Sequence, residues 1–470
     1  MAAKSTSTIT PDFTISTVET TTDCLTGRGG LALFTQYLFT CGALGLLEDS
    51  FGYLRKNLKG LPIWRLFQQV ICFFFDGSNF HLSRFDELKK DEGYAAAIAT
   101  NAENMVSTDQ AKRFFKKFAI GCSFIFRRIL KRRLFVWRLK IEKPDIIEMT
   151  CDSMPMNNDQ AKKRHGVSPT YKKFKGFQPL HLIWNGFIID AILRGGKKHG
   201  NANHTALKMI LDAVDVIRTK YSADVPIIIR LDAGFFDQFN FDQLNLENVL
   251  FIATGKVYDF VKDQVDKDSP CWGAYDNGHQ KWDYLEFGYR CDTWKTFYHA
   301  FYTVPQADES GQILLDFARP ENVVLTNLGV NPDLLANCSD EERERIMSPE
   351  FIIGSHHMRG ADELPHRGVK DFGTEALPFK RFSPNSAFYY AMLIAFFLFE
   401  AFKRDVLKND VSGVTPVSYP ATVRRLFVDF AAKIICHGKR FTLKATKAVM
   451  ERMQLQTLWE RCLNPPPIPI

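Results

Sequence analysis

The stretch that most constrains this chain is Val225–Phe236, VPIIIRLDAGFF. Five of the seven residues from Val225 to Leu231 are apolar, and three of them are consecutive isoleucines. An apolar run this short and β-branched, entered through Pro226, is expected to be a strand buried on both faces. It ends on Asp232, and Ala233-Gly234 follow at once. In open α/β sheets chemistry gathers at the carboxyl ends of central strands, which makes Asp232 a candidate site residue. Asp before Ala-Gly also caps turns, so the residue alone leaves both readings open.

The neighbouring stretches give Asp232 a counterpart. Ile146, Ile147, Met149 and Cys151 form a strand run with Asp152 at its end. Two further strands, Pro179–Trp184 and Phe187–Leu193, meet at Asn185-Gly186, a strong hairpin turn. A helix then begins at His204-Thr205, with Leu207, Ile210, Leu211, Val214 and Ile217 as its apolar face. The Asp232 strand follows, and Val249–Ala253 adds another after a short helical link. Three strands, helix, strand, link, strand is the order expected of a ribonuclease-H-like core. In such a core the first and fourth strands are neighbours, so Asp152 and Asp232 are expected to come together.

The amino-terminal part is helical and basic. Met1–Asp23 is polar and without periodicity, whereas Leu31, Phe34, Leu38, Cys41 and Leu44 repeat every three or four residues. Ile63–Phe75 is a second apolar helix, and Ser107 or Thr108 suits the N-cap of a helix over Gln110–Phe118. Lys112, Arg113, Lys116 and Lys117 fall together on that helix, as in a DNA-reading module or on any solvated helix face. Between Lys112 and Lys143 lie twelve Lys/Arg, including Arg127, Arg128, Arg132 and Arg133, against one acid, Glu142. Such an excess is an electrostatic footprint for phosphate, and more basic clusters follow at Lys162–Arg164, Lys172–Lys175 and Arg194–Lys198. A nucleic-acid partner is the leading inference.

Residues 256–345 depart from the α/β rhythm. Trp272, Trp282, Tyr284, Phe287, Tyr289, Trp294, Phe297, Tyr298, Phe301 and Tyr302 alternate densely, which predicts a mainly β insertion. Aromatics at that density usually form a β core. Trp282 and Trp294 are flanked by charge, so one of them is expected to face solvent, where it would hold an extruded base.

After the insertion comes His356–Gly373, HHMRGADELPHRGVKDFG. On a helix, Arg359, Glu363 and Lys370 fall on one face, and a carboxylate between two cations suits a metal-and-phosphate site. An exposed Arg359–Glu363 ion pair is the plainer alternative. Pro365 and Gly368 count against a regular helix unless it begins near Gly360. The spacing His356-x2-Arg359-x3-Glu363-x6-Lys370 resembles the Y-x2-R-x3-E-x6-K signature of DDE transposases of the insertion sequence 4 superfamily, with His in place of Tyr. GRGGLALFTQYL, DELKKD, CDSMP, LRGGKKHGNANH, RLDAGFF, RGADE and FGTEALPFKRFSPNSA resemble the insertion sequence 1380 family, a branch akin to piggyBac.

That resemblance spans nearly the whole chain, from about Gly27 onward. It implies a catalytic triad of Asp152, Asp232 and Glu363, with Arg359 and Lys370 contacting DNA. It further implies cleavage and joining of DNA ends by two-metal phosphoryl transfer, with Mg2+ or Mn2+ on hard carboxylate ligands. Double-stranded DNA, as terminal inverted repeats and as target, is the expected partner, bound by a homodimer. A transposase-derived DNA-binding protein without catalysis and a stand-alone nuclease are the rival readings. A zinc reading of His356, His357 and His366 is disfavoured, since no cysteine lies nearby.

The expected fold class is α/β, a ribonuclease-H-like core interrupted by the insertion, with helical regions at both ends. The boundaries run 1–27 loose tail, 28–143 helical and basic, 144–255 first core part, 256–345 insertion, 346–408 second core part and 409–470 helical. In the last region Arg424, Arg425, Lys433, Lys439, Arg440, Lys444 and Lys447 have helical spacing and are expected to contact DNA or a second copy, and NPPPIPI to form a stiff tail. The ten cysteines include no C-x-x-C pair, and a chain of 470 residues needs no disulfides to fold. The amino terminus lacks a signal pattern, and the longest apolar run, Ala387–Phe399, is too short to span a bilayer. A cytoplasmic protein without membrane contact is expected.

Overall fold

The two acid-ended strands lie side by side in the computed structural model, which describes residues 15, 17–56, 60–161, 163–198, 204–267, 271–278, 280–307, 320–330, 335–358, 363–437 and 440–469. The main sheet has nine strands. Numbered along the chain they are β1 (Ile147–Ser153), β2 (Leu180–Trp184), β3 (Phe187–Ile192), β4 (Ile227–Leu231), β5 (Leu250–Thr254), β6 (Gly273–Asp276), β7 (Lys281–Tyr289), β8 (Tyr298–Pro305) and β9 (Asn322–Thr326). Their order across the sheet is β6-β7-β8-β9-β5-β4-β1-β2-β3. β1 runs parallel to β4, and β4 to β5, while β1, β2 and β3 are joined antiparallel. Asn185 and Gly186 both have positive φ, 46° and 81°, as a two-residue hairpin loop of the favoured twist requires. The β-rich segment does not fold apart from this sheet: its strands continue it antiparallel beyond β5.

One helix, Phe382–Phe402, organises the rest. It is apolar on every side and buried on nearly every side, as such a helix must be in water. With its continuation to Leu407 it is long and apolar enough to cross a membrane, yet its apolar window lies wholly inside the protein. The expectation that this run is too short to span came from the sequence run Ala387–Phe399; the helix is longer than that run. The helices Gly30–Thr40 and Ile63–Asp76 pack on it through rings. Phe34 stacks on Phe75 at 3.9 Å, and both meet Phe402 edge-on. Phe187 of β3 meets Phe397 at 4.6 Å, which joins sheet to helix. Many of the 41 phenylalanines are accounted for by this core.

The helix Thr108–Lys116 is capped by a reciprocal pair, Ser107 and Gln110, as the sequence leads one to expect. It buries Phe114 and Phe115 and leaves Lys112, Arg113, Lys116 and Lys117 exposed together. The following basic stretch behaves differently. Cys122–Glu142 is a continuous helical rod, π-wound over Ile129–Phe135. Arg127 grips Asp190 of β3 with both arms of its guanidinium, at 2.8 and 2.7 Å. Lys131 joins the same carboxylate at 3.1 Å and also pairs with Asp212. Arg138 is buried against Asp405 and Glu142. Arg127 therefore has a structural partner inside the fold, because a fully buried Asp190 requires one. Arg132 pairs with Asp215 at 3.6 Å, Arg133 is half-buried, and Arg128 is exposed.

The carboxyl-terminal region is not all helical. Ala432–His437 and Arg440–Lys444 form a hairpin, and Leu25–Thr26 adds a third strand to it. Lys433, Arg440 and Lys444 therefore sit on strands, and Lys439 lies outside the described residues. The proline-rich tail docks: Ile468 is buried, and its N–H donates to the Cys41 carbonyl at 2.8 Å.

Replacing Arg127 with Ala leaves the Asp190 carboxylate buried with a weakened partner set. A loss of about 3–5 kcal/mol is expected, against under about 0.5 kcal/mol for the exposed Arg128→Ala. Urea denaturation of the two variants side by side measures the difference. Equal midpoints would show that Asp190 does not depend on Arg127.

Candidate active site

Strand geometry places the two aspartates on one face of the sheet. In the parallel register Cys151 lies opposite Leu231, so Asp152 and Asp232 are the next positions on strands about 4.8 Å apart. Side chains alternate along a strand. Ile147, Met149 and Cys151 point into the apolar core, whereas Glu148, Thr150 and Asp152 point to the opposite face, with Arg230 and Asp232 beside them. Arg230 donates to Thr150 Oγ1 at 3.1 Å and lies 3.7 Å from Glu148 Oε2. Ser355, on the helix Pro349–His357, donates to Glu148 at 2.6 Å. On the same helix, the His356 ring meets Thr254 Oγ1 of β5 at 3.1 Å. The result is a polar floor running up to the two carboxylates.

Each aspartate is half-buried and partly engaged. Asp232 Oδ1 accepts from the Gly234 N–H at 2.8 Å and caps the short turn Ala233–Phe235, so its turn-capping role is real. Asp152 Oδ1 accepts from the Ser153 N–H at 2.6 Å. Its other oxygen lies 3.8 Å from His366 Nδ1. His366 packs 5.0 Å, ring to ring, from His181, which sits directly across from Asp152 on β2 and bonds the Tyr389 hydroxyl. Burial pushes the His366 imidazole down to about 4, helped by Lys370 and Lys172. Burial also pushes His181 well down, with His366 and Arg194 adding to it. Two neutral imidazoles thus wall Asp152 on one side at neutral pH. Sequence reasoning did not single out His181 or link His366 to Asp152. The one available signal was a histidine inside the apolar strand Leu180–Trp184.

His366 comes from the helix Glu363–Phe372, which is regular despite Pro365 and Gly368. Pro365 is the third described residue of that helix. Gly368 lies where the helix meets the central one; a Cβ there would approach Phe396 to 3.0 Å. The expected interruption is therefore absent over Glu363–Phe372, and Gly360 lies outside the described residues. Arg359 and the Glu363 side chain lie outside the described residues. Lys370 is exposed and pairs with Glu375. Asp371 is turned away, accepting from the Ala421 N–H at 2.8 Å. Among the described residues no three His, Cys, Asp or Glu side chains converge as a metal-binding group.

Both tryptophans expected as base-stacking candidates are buried, which corrects the expectation that one faces solvent. Trp282 stacks on His357 at 4.2 Å and on Tyr275 at 5.5 Å. Strand alternation explains its charged neighbours: Lys281 points outward and pairs with Asp276 at 3.1 Å. Trp294 lies in the turn between β7 and β8, boxed by Phe236, Phe241, Tyr289 and Tyr298.

No protein-family model matches the chain, and no curated protein matches it. Among solved structures the chain is similar to a piggyBac transposase synaptic complex with hairpin DNA, determined by cryo-EM. The TM-score is 0.40 at 11% identity, over 84% of this chain and 79% of that one.

The Trp282–His357 stack makes stability depend on pH. Burial pushes His357 down to about 4 from its ordinary value of 6.5, so the unfolded chain binds its proton first. This contribution is full above pH 6.5 and is lost as pH falls toward 4. The melting temperature should drop over that window, and less steeply in His357→Phe. Parallel profiles for the two proteins would rule out His357 as a source of the acid sensitivity.

Proposed function

We propose that the chain is a DNA strand-cleavage and strand-transfer enzyme, a transposase of the DDE type on a ribonuclease-H-like core. One observation carries the reading: Asp152 and Asp232 stand at the ends of neighbouring parallel strands, on one face of a sheet in which β3-β2-β1-β4-β5 are consecutive. That order and those strand directions support the ribonuclease-H-like reading. The motif resemblance to the insertion sequence 1380 family supports the finer placing, with duplex DNA as substrate and a homodimer as the acting form.

Asp152 and Asp232 are the residues that would hold a divalent ion, with Glu363, at the start of the His366 helix, as the proposed third ligand. Their hard carboxylate oxygens fit Mg2+ or Mn2+ in kind. Such an ion, when bound, supplies Lewis acidity to phosphoryl oxygens and lowers the pKa of water. The protein's own part is positioning. The Ser153 and Gly234 N–H groups each fix one oxygen of an aspartate. The His181–His366 wall excludes water from one flank of Asp152, which strengthens electrostatic interactions there. Lys370, and Arg359 by its motif position, would hold substrate phosphate.

Asp152→Asn, Asp232→Asn and Glu363→Gln should each abolish nicking of supercoiled plasmid in Mn2+ while duplex binding persists. His366→Leu should slow nicking by about 10–100-fold, as loss of a supporting neighbour does. Retained nicking by either Asp variant would overturn the assignment. Nicking without joining of a 3′-hydroxyl end to target DNA would select the stand-alone nuclease. Binding without nicking by the unaltered protein would select the non-catalytic reading.

A further inference from the structure

Between β1 and β2 the chain builds a second small sheet from Met156–Asn157, Lys175–Phe177 and Ser168–Pro169, in that order. The Arg194–Lys198 stretch that leaves β3 docks onto it. Gly195 bridges to Phe177, the Gly196 N–H donates to the Gly166 carbonyl at 3.3 Å, and the Lys197 N–H donates to Ser168 Oγ at 2.9 Å. The contact is backbone on backbone. A Cβ on Gly196 would lie 2.2 Å from the Ser168 carbonyl, and one on Gly176 would lie 1.9 Å from that of Met156. Two chain segments are thereby clamped into one rigid knuckle.

The clamp gathers cations. Lys163, Lys172, Lys173, Lys175, Lys197 and Lys198 are all exposed on it. Among the described residues none of the six is ion-paired. The acids between Ser153 and Lys198 are two: Asp190 is buried elsewhere, and Asp159 caps the Lys175 N–H at 2.6 Å. The knuckle also adjoins the aspartates. It begins three residues after Ser153 ends β1, and Gln178 reaches Ser153 Oγ at 3.5 Å. In the 112–143 stretch, by contrast, Arg127, Lys131 and Arg138 are consumed by internal acids.

We propose that this glycine-clamped lysine knuckle holds the sugar-phosphate backbone of duplex DNA beside the bond presented to Asp152 and Asp232. The inference rests on the DNA-processing reading above and adds the surface that grips the substrate. Rigid backbone packing holds the lysines in register with a phosphate track, and contacts of this kind position DNA without reading its sequence.

The test is a salt series of duplex DNA binding by the full chain, followed by fluorescence anisotropy. Lys172, Lys173, Lys197 and Lys198 are changed together to Gln. The knuckle variant should flatten the slope of log affinity against log salt by about three to four units, roughly one per lost phosphate contact. An unchanged slope in a protein that binds DNA overturns the knuckle while sparing the DNA reading. Absence of salt-dependent DNA binding in the unaltered protein overturns both. If single-stranded RNA of equal length displaces the duplex more readily than duplex itself does, the assigned partner is wrong. Should the fourfold variant melt early, the single Gln variants decide: each should remove about one unit of slope.

Discussion

A helix that is apolar all round cannot rest against one surface; it has to be surrounded. Phe382–Phe402 imposes that requirement on a chain whose other elements precede it almost entirely. The amino-terminal helices, the rod Cys122–Glu142 and the sheet edge at β3 must all converge on a segment hundreds of residues later. Aromatic rings supply the fit, since stacked and edge-on pairs fill an irregular cylinder with few side chains. Charges then lock the assembly at its rim. The Arg424 guanidinium donates to the carbonyls of Phe74, Phe75, Asp371 and Phe372, closing the ends of two helices distant in sequence. Asp405 holds Tyr37 and Arg138 together at the far end of the central helix.

The elements legible in the sequence are those whose signal is local. Asn185-Gly186 specifies a turn by its own backbone freedom, and Ser107 with Gln110 satisfies helix-end N–H groups within one turn. The strand ending at Asp232 is apolar whatever surrounds it. The carboxyl-terminal hairpin was not legible, because basic residues four apart, such as Arg440 and Lys444, fit a strand as well as a helix face. Its third strand, Leu25–Thr26, is two residues long and carries no pattern at all. Which cations of the Lys112–Lys143 stretch are paired inside the fold is not legible either. A cation's partner is decided by tertiary packing, and Asp190, Asp212 and Asp405 lie far along the chain from the residues they bind.

The candidate site divides along the same line. Asp152 and Asp232 are legible because strand ends are legible, and the crossover between β1 and β4 brings strand ends together. The imidazole wall is not, since His181 lies inside an apolar strand and His366 follows a proline. Pro365 and Gly368, taken one by one, argue against a helix. Both become intelligible once position within the helix and the distance to Phe396 are known. Flanking charge suggested exposure for Trp282, yet alternation puts the neighbours of any buried strand residue outward.

The polar face of β1 and β4 would be costly under an ordinary apolar cover. Glu148, Thr150 and Arg230 need partners there, and they find them in one another and in Ser355. The helix Pro349–His357 is thus held over the sheet by these polar contacts as well as by Ile352 and Ile353, which pack with Ile228, Leu250 and Ile252. A cover bound by apolar contacts alone could settle at several angles. One bound through the Glu148–Ser355 and Thr254–His356 contacts has far fewer, because each hydrogen bond is directional. The same contacts that complete this part of the core therefore also fix the angle of the helix Pro349–His357 over the sheet.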